Sequence, residues 1–327
     1  MTEHFPILDL HCDTASEMID RRVVEEHRPA APSAGSLYQN SGMLSIEKMQ
    51  EGSVFCQFFA IYINTANHES LSASYEHFLK IHNNFMEELD RNRTHIALAR
   101  NAKEISALRN DGRIAAVLTL EEGAILDNEL RRLDELYEMG VRLITLTWNH
   151  ENCIGFPNST DPEIMEKGLK AFGIQTVERM QELGILADVS HLSDGGFWDV
   201  VKLSKKPFVA SHSNARFLCG HTRNLTDEML KALADAGGVT GINFYHKFLG
   251  DNEAGSIEQM LAHIRHIQKV AGIDTIALGS DFDGFKGPCE LSDCSQFPLL
   301  TDALSKAGFI DGEIEKICWK NAMRVIE

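Results

Sequence analysis

Short runs of apolar and β-branched residues recur along the chain, at 5–11, 53–61, 113–120, 141–147, 185–190, 207–211, 238–244 and 275–280. Between them, apolar positions return every three or four residues. In 127–139, for example, Leu130, Leu133, Leu136 and Tyr137 fall on one helical face. The same period runs through 70–92, 163–183, 194–204, 226–236 and 255–271. Strands that are apolar nearly throughout and alternate with helices predict a parallel sheet covered on both faces. Eight such units predict a closed (β/α)8, TIM-like barrel. A doubly wound open sheet is the alternative, but its Gly-x-Gly-x-x-Gly phosphate turn is nowhere in the chain.

Punctuation agrees with this division. Ser193 and Thr226 stand where helices should be capped, and Gly140, Gly184 and Gly237 where helices should stop. No repeat or Pro/Ser-rich linker interrupts the chain, so residues 1–327 are expected to form a single barrel domain. Two segments exceed what a minimal barrel needs, around 17–50 and 62–112. They are read as inserted, largely helical elaborations whose loops could lid a site.

Composition narrows the function. With 48 acidic against 31 basic residues, the formal charge of −17 disfavours partners such as nucleic acid or an anionic membrane. No signal-like N-terminal segment or long apolar stretch occurs, which predicts a soluble, cytoplasmic protein. Seven scattered cysteines read as reduced thiols rather than a disulfide framework.

Barrel enzymes place their chemistry at the C-terminal ends of the strands. Here those ends are polar: His11-Cys12-Asp13, Glu121-Glu122, Ser190-His191, Ser211-His212-Ser213 and Ser280-Asp281-Phe282-Asp283. Residues i and i+2 of an extended segment point the same way, so His11 and Asp13 can face one ion. Glu121 can offer one oxygen to each of two ions, with His191 and His212 completing the second site. Imidazole and carboxylate without thiolate favour zinc, and a two-metal site of this kind can hold a hydroxide between its ions. Any one of these residues alone is a weak signal. Five of them on one rim of a barrel are a constellation.

Together these motifs, with Thr222-Arg223-Asn224, Asn243-Phe244-Tyr245 and Gly279-Ser280-Asp281-Phe282-Asp283-Gly284, closely resemble the membrane dipeptidase (renal dipeptidase) family of zinc peptidases. The resemblance runs from residue 7 to about residue 326. It implies a distorted (β/α)8 barrel, two zinc ions per chain, a dipeptide substrate and often a homodimer. The positions matching its metal ligands are His11, Asp13, Glu121, His191 and His212, with Glu121 bridging. Asp281 matches the acid/base carboxylate and Arg223 the arginine that grips the substrate carboxylate, with Tyr245 expected beside the substrate.

The chain departs from the animal enzymes in the loop after the fourth candidate strand. They carry a histidine there that polarises the scissile carbonyl, whereas this chain reads Thr147-Trp148-Asn149-His150. Trp148 takes that place, and Asn149 or His150 is expected to supply a substrate contact instead. The competing reading is another binuclear hydrolase on the same barrel, such as an N-acyl-amino-acid deacylase or a lactonase. Many of these open with His-x-His. The His-x-Asp of this chain, and the absence of a lysine ending the fourth strand, favour the dipeptidase.

Overall fold

A computed structural model describes residues 4–19, 36–250 and 254–326. All strands join one parallel sheet: β1 (Ile7–Cys12), β2 (Val54–Tyr62), β3 (Ile96–Leu98), β4 (Ile114–Glu121), β5 (Val141–Thr145), β6 (Leu186–Asp188), β7 (Val209–Ala210), β8 (Val239–Ile242) and β9 (Ile276–Leu278). Because β2 pairs with both β1 and β4, the sheet closes into an eight-stranded barrel. The eight expected strands are all present.

The ninth strand, β3, distorts the barrel. It pairs with the first half of β4, at Ile114–Ala116, and β5 takes over that same edge only from Leu118. Residues in register on parallel strands share a face. Following the register from Leu8 through Cys56, Ala115 and Val117 traces the inner face, which leads on β4 to Thr119 and Glu121. An apolar floor of Leu8, Phe58, Val117, Leu143, Val209 and Val239 thus lies beneath a polar upper rim.

Several strands are shorter than the apolar runs suggested, for a local reason. The buried Asp188 carboxylate accepts the backbone N–H groups of Ser190 (3.0 Å) and Ser211 (2.8 Å), amides that a longer ladder would have used. Asp9 does the same across β1 and β9, accepting Ser280 N–H at 2.8 Å and the Ser280 hydroxyl at 2.6 Å. Beyond these carboxylates the chain turns sharply, and His191 (φ +69°) and Asp281 (φ +66°) adopt the left-handed conformation. For residues with a Cβ that conformation costs about 1–2 kcal/mol each.

The helix punctuation holds where it was read. Ser193 accepts from Gly196 N–H, Thr226 from Met229 N–H, and Gly184 ends Ala171–Leu183 in the left-handed conformation. The continuous helix expected over 163–183 is instead two, Pro162–Met165 and Ala171–Leu183. Between them the chain turns inward to the Asp199 carboxylate, which accepts Leu169 N–H at 2.9 Å. The segment 62–112, read as an insertion, contains helices Leu71–Arg91 and Ala102–Asn110 flanking β3. Of the segment 17–50, likewise read as an insertion, residues 20–35 lie outside the described residues, and the rest includes most of the helix Ile46–Glu51. All seven cysteines are free. Among the described residues no helix is long and apolar enough to cross a membrane.

Candidate metal and substrate site

On β1 a simple alternation from the inward Leu8 would turn His11 outward. The register prevents this: Asp9 pairs with Gln57 and Cys12 with Phe59, so three residues of β1 span two of β2. This bulge reverses the alternation and turns His11 and Asp13 over the barrel axis. Zipping of the β1 and β9 ends, with Asp13 N–H donating to Phe282 O and Asp281 N–H to His11 O, brings Asp281 alongside.

The five expected ligands and Asp281 meet at one point. His11 Nε2 lies 3.4 Å from Asp13 Oδ2, 3.5 Å from Glu121 Oε2 and 3.8 Å from Asp281 Oδ1. The other oxygen of Glu121, Oε1, lies 3.1 Å from His191 Nε2 and 3.7 Å from His212 Nε2. The two imidazole Nε2 atoms face each other at 3.1 Å. His11–Asp13–Glu121 and Glu121–His191–His212 are thus two triads of convergent ligand atoms sharing Glu121.

Electrostatics fit a cation in each. Both ring nitrogens of His11 and Asp13 Oδ1 are buried without a hydrogen-bond partner. Burial pushes the His11 imidazole down, but the Glu121 and Asp13 carboxylates outweigh it and hold it well above its ordinary value. In the second triad, burial and then the nearby Arg223 hold His191 down to about 4, and burial keeps His212 well below its usual range. Neutral imidazoles with opposed lone pairs around a carboxylate suit a metal ion. Burial, partly countered by His11, pushes Asp13 up to about 7 and Asp281 up to about 6.

Around the triads opens a cleft of about 680 Å³. Its wall includes Tyr62, Trp148, Asn149, Arg223, Tyr245, Phe248 and Asp281. Arg223, 5% exposed, donates to Ser213 Oγ (3.3 Å) and His212 O (3.4 Å), with Phe248 packed on its guanidinium. Its Nε has no hydrogen-bond partner, and among the described residues no carboxylate lies within ion-pairing distance. A buried cation that feels Asp281, Glu121 and Asp188 only from beyond ion-pairing distance, and that faces a cleft, is prepared for an anionic ligand. Asp281 Oδ2 accepts from Asn243 Nδ2 at 2.9 Å, leaving Oδ1 toward His11.

The loop after β5 distinguishes its two expected contacts. Asn149 lines the cleft, but its Oδ1 lies 3.1 Å from His191 Nδ1, a position that orients the imidazole. His150 is exposed, packs edge-on against Trp148 and is not part of the cleft wall. Sequence reasoning gave no role to Tyr62, Asp188 or Asn243, although the first ends a strand and so carried the same positional signal as Glu121. Glu122, beside Glu121, faces away and accepts Trp148 N–H at 3.0 Å, which ties the loop to β4.

Known proteins resemble this chain in sequence and fold. The family model described as membrane dipeptidase (peptidase family M19) matches residues 1–327. An uncharacterized dipeptidase of Schizosaccharomyces pombe is 34% identical over 291 residues, 85% of this chain and 70% of its own. The solved dipeptidase AC, a metallo peptidase of family M19, superposes with a TM-score of 0.88 at 27% identity, over 99% of this chain and 98% of that one. A metallo peptidase from Rhodobacter sphaeroides, liganded with a phosphinate mimic of the dipeptide L-Ala-D-Ala, gives a TM-score of 0.87 at 26% identity over 99% of both chains. The chain belongs to the membrane dipeptidase family, peptidase family M19, and is a metallo-dipeptidase, a hydrolase of peptide bonds.

Proposed function

We propose that the cleft hydrolyses dipeptides of both L-Xaa-L-Xaa and L-Xaa-D-Xaa form, with two zinc ions held by five side chains. His11, Asp13 and Glu121 would hold one ion; Glu121, His191 and His212 would hold the other. The observation carrying this reading is the division of Glu121, whose Oε2 faces the first triad and Oε1 the second. Nitrogen and oxygen donors without thiolate support zinc. When bound, such ions polarise the scissile carbonyl and make water a stronger acid.

The chain's own residues do the rest. Arg223 takes the substrate's free carboxylate through two charge-assisted bonds, which sets the register of the peptide in the cleft. Asp281, oriented by Asn243, accepts the proton of the attacking water at Oδ1 and delivers it to the leaving amine. Tyr62, Trp148, Tyr245 and Phe248 bound the space for the two substrate side chains and limit the water that reaches the scissile bond. Acceptance of a D-residue at the C-terminal position is supported by the Rhodobacter sphaeroides relative, solved with its L-Ala-D-Ala mimic.

Zinc content and hydrolysis of L-Ala-L-Ala, L-Ala-D-Ala and N-acetyl-L-Ala, measured before and after chelation, test the reading. Two zinc ions per chain and dipeptide hydrolysis lost on chelation are expected. Preferred cleavage of N-acetyl-L-Ala would instead support a deacylase, and hydrolysis surviving full metal removal would refute the zinc mechanism. Asp281→Asn should keep its metal while kcat falls about 10²- to 10⁴-fold. Unchanged turnover would remove Asp281 from the reaction.

A further inference from the structure

We propose that Asp188 and Ser211 form a hydrogen-bonded relay that fixes His212 in the Nδ1–H tautomer, making Ser211 a positioning residue for metal capture. The proposal rests on the metal-site reading above, because it concerns how one proposed ligand is aimed.

The argument is a count of protons. Asp188 is fully buried, and its carboxylate receives four donors. Ser190 N–H (3.0 Å) and Ser211 N–H (2.8 Å) reach Oδ1, while the hydroxyls of Thr145 (2.7 Å) and Ser211 (2.6 Å) reach Oδ2. A carboxylate that receives four donors has its acceptor sites filled, and the 2.6 Å contact to Oδ2 is the shortest of the four. The single hydroxyl hydrogen of Ser211 is therefore committed to Asp188.

Ser211 Oγ also lies 2.7 Å from His212 Nδ1. With its hydrogen already used, Ser211 can only accept, so Nδ1 must carry the proton and Nε2 the lone pair. That lone pair faces His191 Nε2 at 3.1 Å and Glu121 Oε1 at 3.7 Å, the second triad. The backbone of His212 is pinned as well, its N–H donating to Ser190 Oγ at 3.1 Å. His191 receives a simpler support: Asn149 Oδ1 accepts from its Nδ1, which leaves its own Nε2 bare. Both imidazoles thus present lone pairs to one point, an arrangement that repels unless a cation sits between them.

The relay belongs to the barrel itself. One carboxylate binds Thr145 at the end of β5, its own strand β6, and Ser211 just beyond β7, so three neighbouring strands are held in the register that aims the ligand. Partners of this kind, which orient a ligating histidine and raise its basicity, typically change metal affinity 10- to 100-fold when removed. Asp188 also supports the fold. Ser211 separates the two roles, since Ser211→Ala leaves Asp188 with three of its donors.

The test measures His212 in the metal-free protein, where no bound ion can impose the tautomer. With ¹⁵N-labelled histidine, the wild-type ring should show a protonated Nδ1 and a bare Nε2 near neutral pH. Its resonance is assigned by its loss in His212→Gln. Ser211→Ala should give a mixture of tautomers and a zinc affinity, by competition with a chromogenic chelator, about 10- to 100-fold weaker, with thermal melting of the metal-free protein close to wild type. Ser211→Thr, which keeps the hydroxyl, should restore the tautomer. A wild-type ring protonated on Nε2 would overturn the relay, as would a Ser211→Ala protein with unaltered tautomer and affinity. If Ser211→Ala fails to fold, the wild-type spectrum decides alone. The expected tautomer in a protein that binds no zinc would support the relay and overturn the metal reading instead.

Discussion

Arg223→Met is the most direct probe of substrate recognition. The methionine occupies a similar volume beneath the cleft but removes a cation that is 5% exposed and meets no carboxylate among the described residues. If the substrate carboxylate completes this site, each binding event makes two charge-assisted hydrogen bonds, roughly 1.5–3 kcal/mol apiece. Their loss amounts to roughly 3–6 kcal/mol of transition-state binding, or a fall in kcat/KM of about 10²- to 10⁴-fold. Stability should change little, because relief of a buried charge offsets the lost bonds to Ser213 and His212. The assay compares L-Ala-L-Ala with its C-terminal amide in both proteins. The amide has no carboxylate to lose, so its already lower kcat/KM should barely respond to the substitution. An equal fall on both substrates would show that Arg223 acts on the architecture of the site rather than on the carboxylate, and would refute the reasoning.

Two further substitutions probe the packing of the site and the pH dependence of folding. At Gly284 any Cβ would run into Asp13 Oδ2 and Asp281 Oδ1, so Gly284→Ala should lower metal occupancy and cut kcat/KM about 10- to 100-fold. Wild-type zinc content and rate in that variant would contradict the placement of this turn. His263 is fully buried, accepts Ala215 N–H at Nδ1 (3.1 Å) and donates from Nε2 to Leu249 O (3.1 Å). Burial, with a small contribution from His266, holds it down to about 4. A base with a depressed folded value contributes its full stability above its unfolded value of about 6.5 and loses it as pH falls toward 4. That loss is about 2 kcal/mol by about pH 5. His263→Gln, which can keep both bonds, should therefore unfold with a shallower pH dependence in urea titrations between about pH 7.5 and 5, whereas parallel curves would sink the assignment.

How much of this was legible in the sequence depended on whether a feature was local. Buried parallel strands read as apolar runs because both faces are covered, so polar residues at their ends stood out, and Glu121, His191 and His212 were singled out on that contrast. The bulge in β1 was not legible. It exists only in the register against β2, where three residues span two, yet without it the inward Leu8 would put His11 and Asp13 on the outer face. The i, i+2 argument thus paired His11 with Asp13 correctly while leaving open which way the pair points. Loop side chains carry no period at all, and adjacent residues diverged: Asn149 turned to His191, His150 to solvent.

Asp188 shows why the remainder was hidden. It sits inside an apolar run, ILADVS, where a lone carboxylate reads as the polar end of a strand. Its meaning comes from Thr145, Ser190 and Ser211, which reach it from positions up to 43 residues away and which no spacing rule connects. Asp9 plays the matching part under Asp281, taking both the amide and the hydroxyl of Ser280. In each case a buried carboxylate ends a ladder and takes a serine's amide and hydroxyl, and the next residue, His212 or Asp281, is delivered to the site. The serines before His212 and Asp281 thus act as couplings between barrel and chemistry. These two carboxylates tie His212 and Asp281 to the strands, so the placement of those two side chains should prove more sensitive to Asp9 and Asp188 than to the apolar floor beneath them.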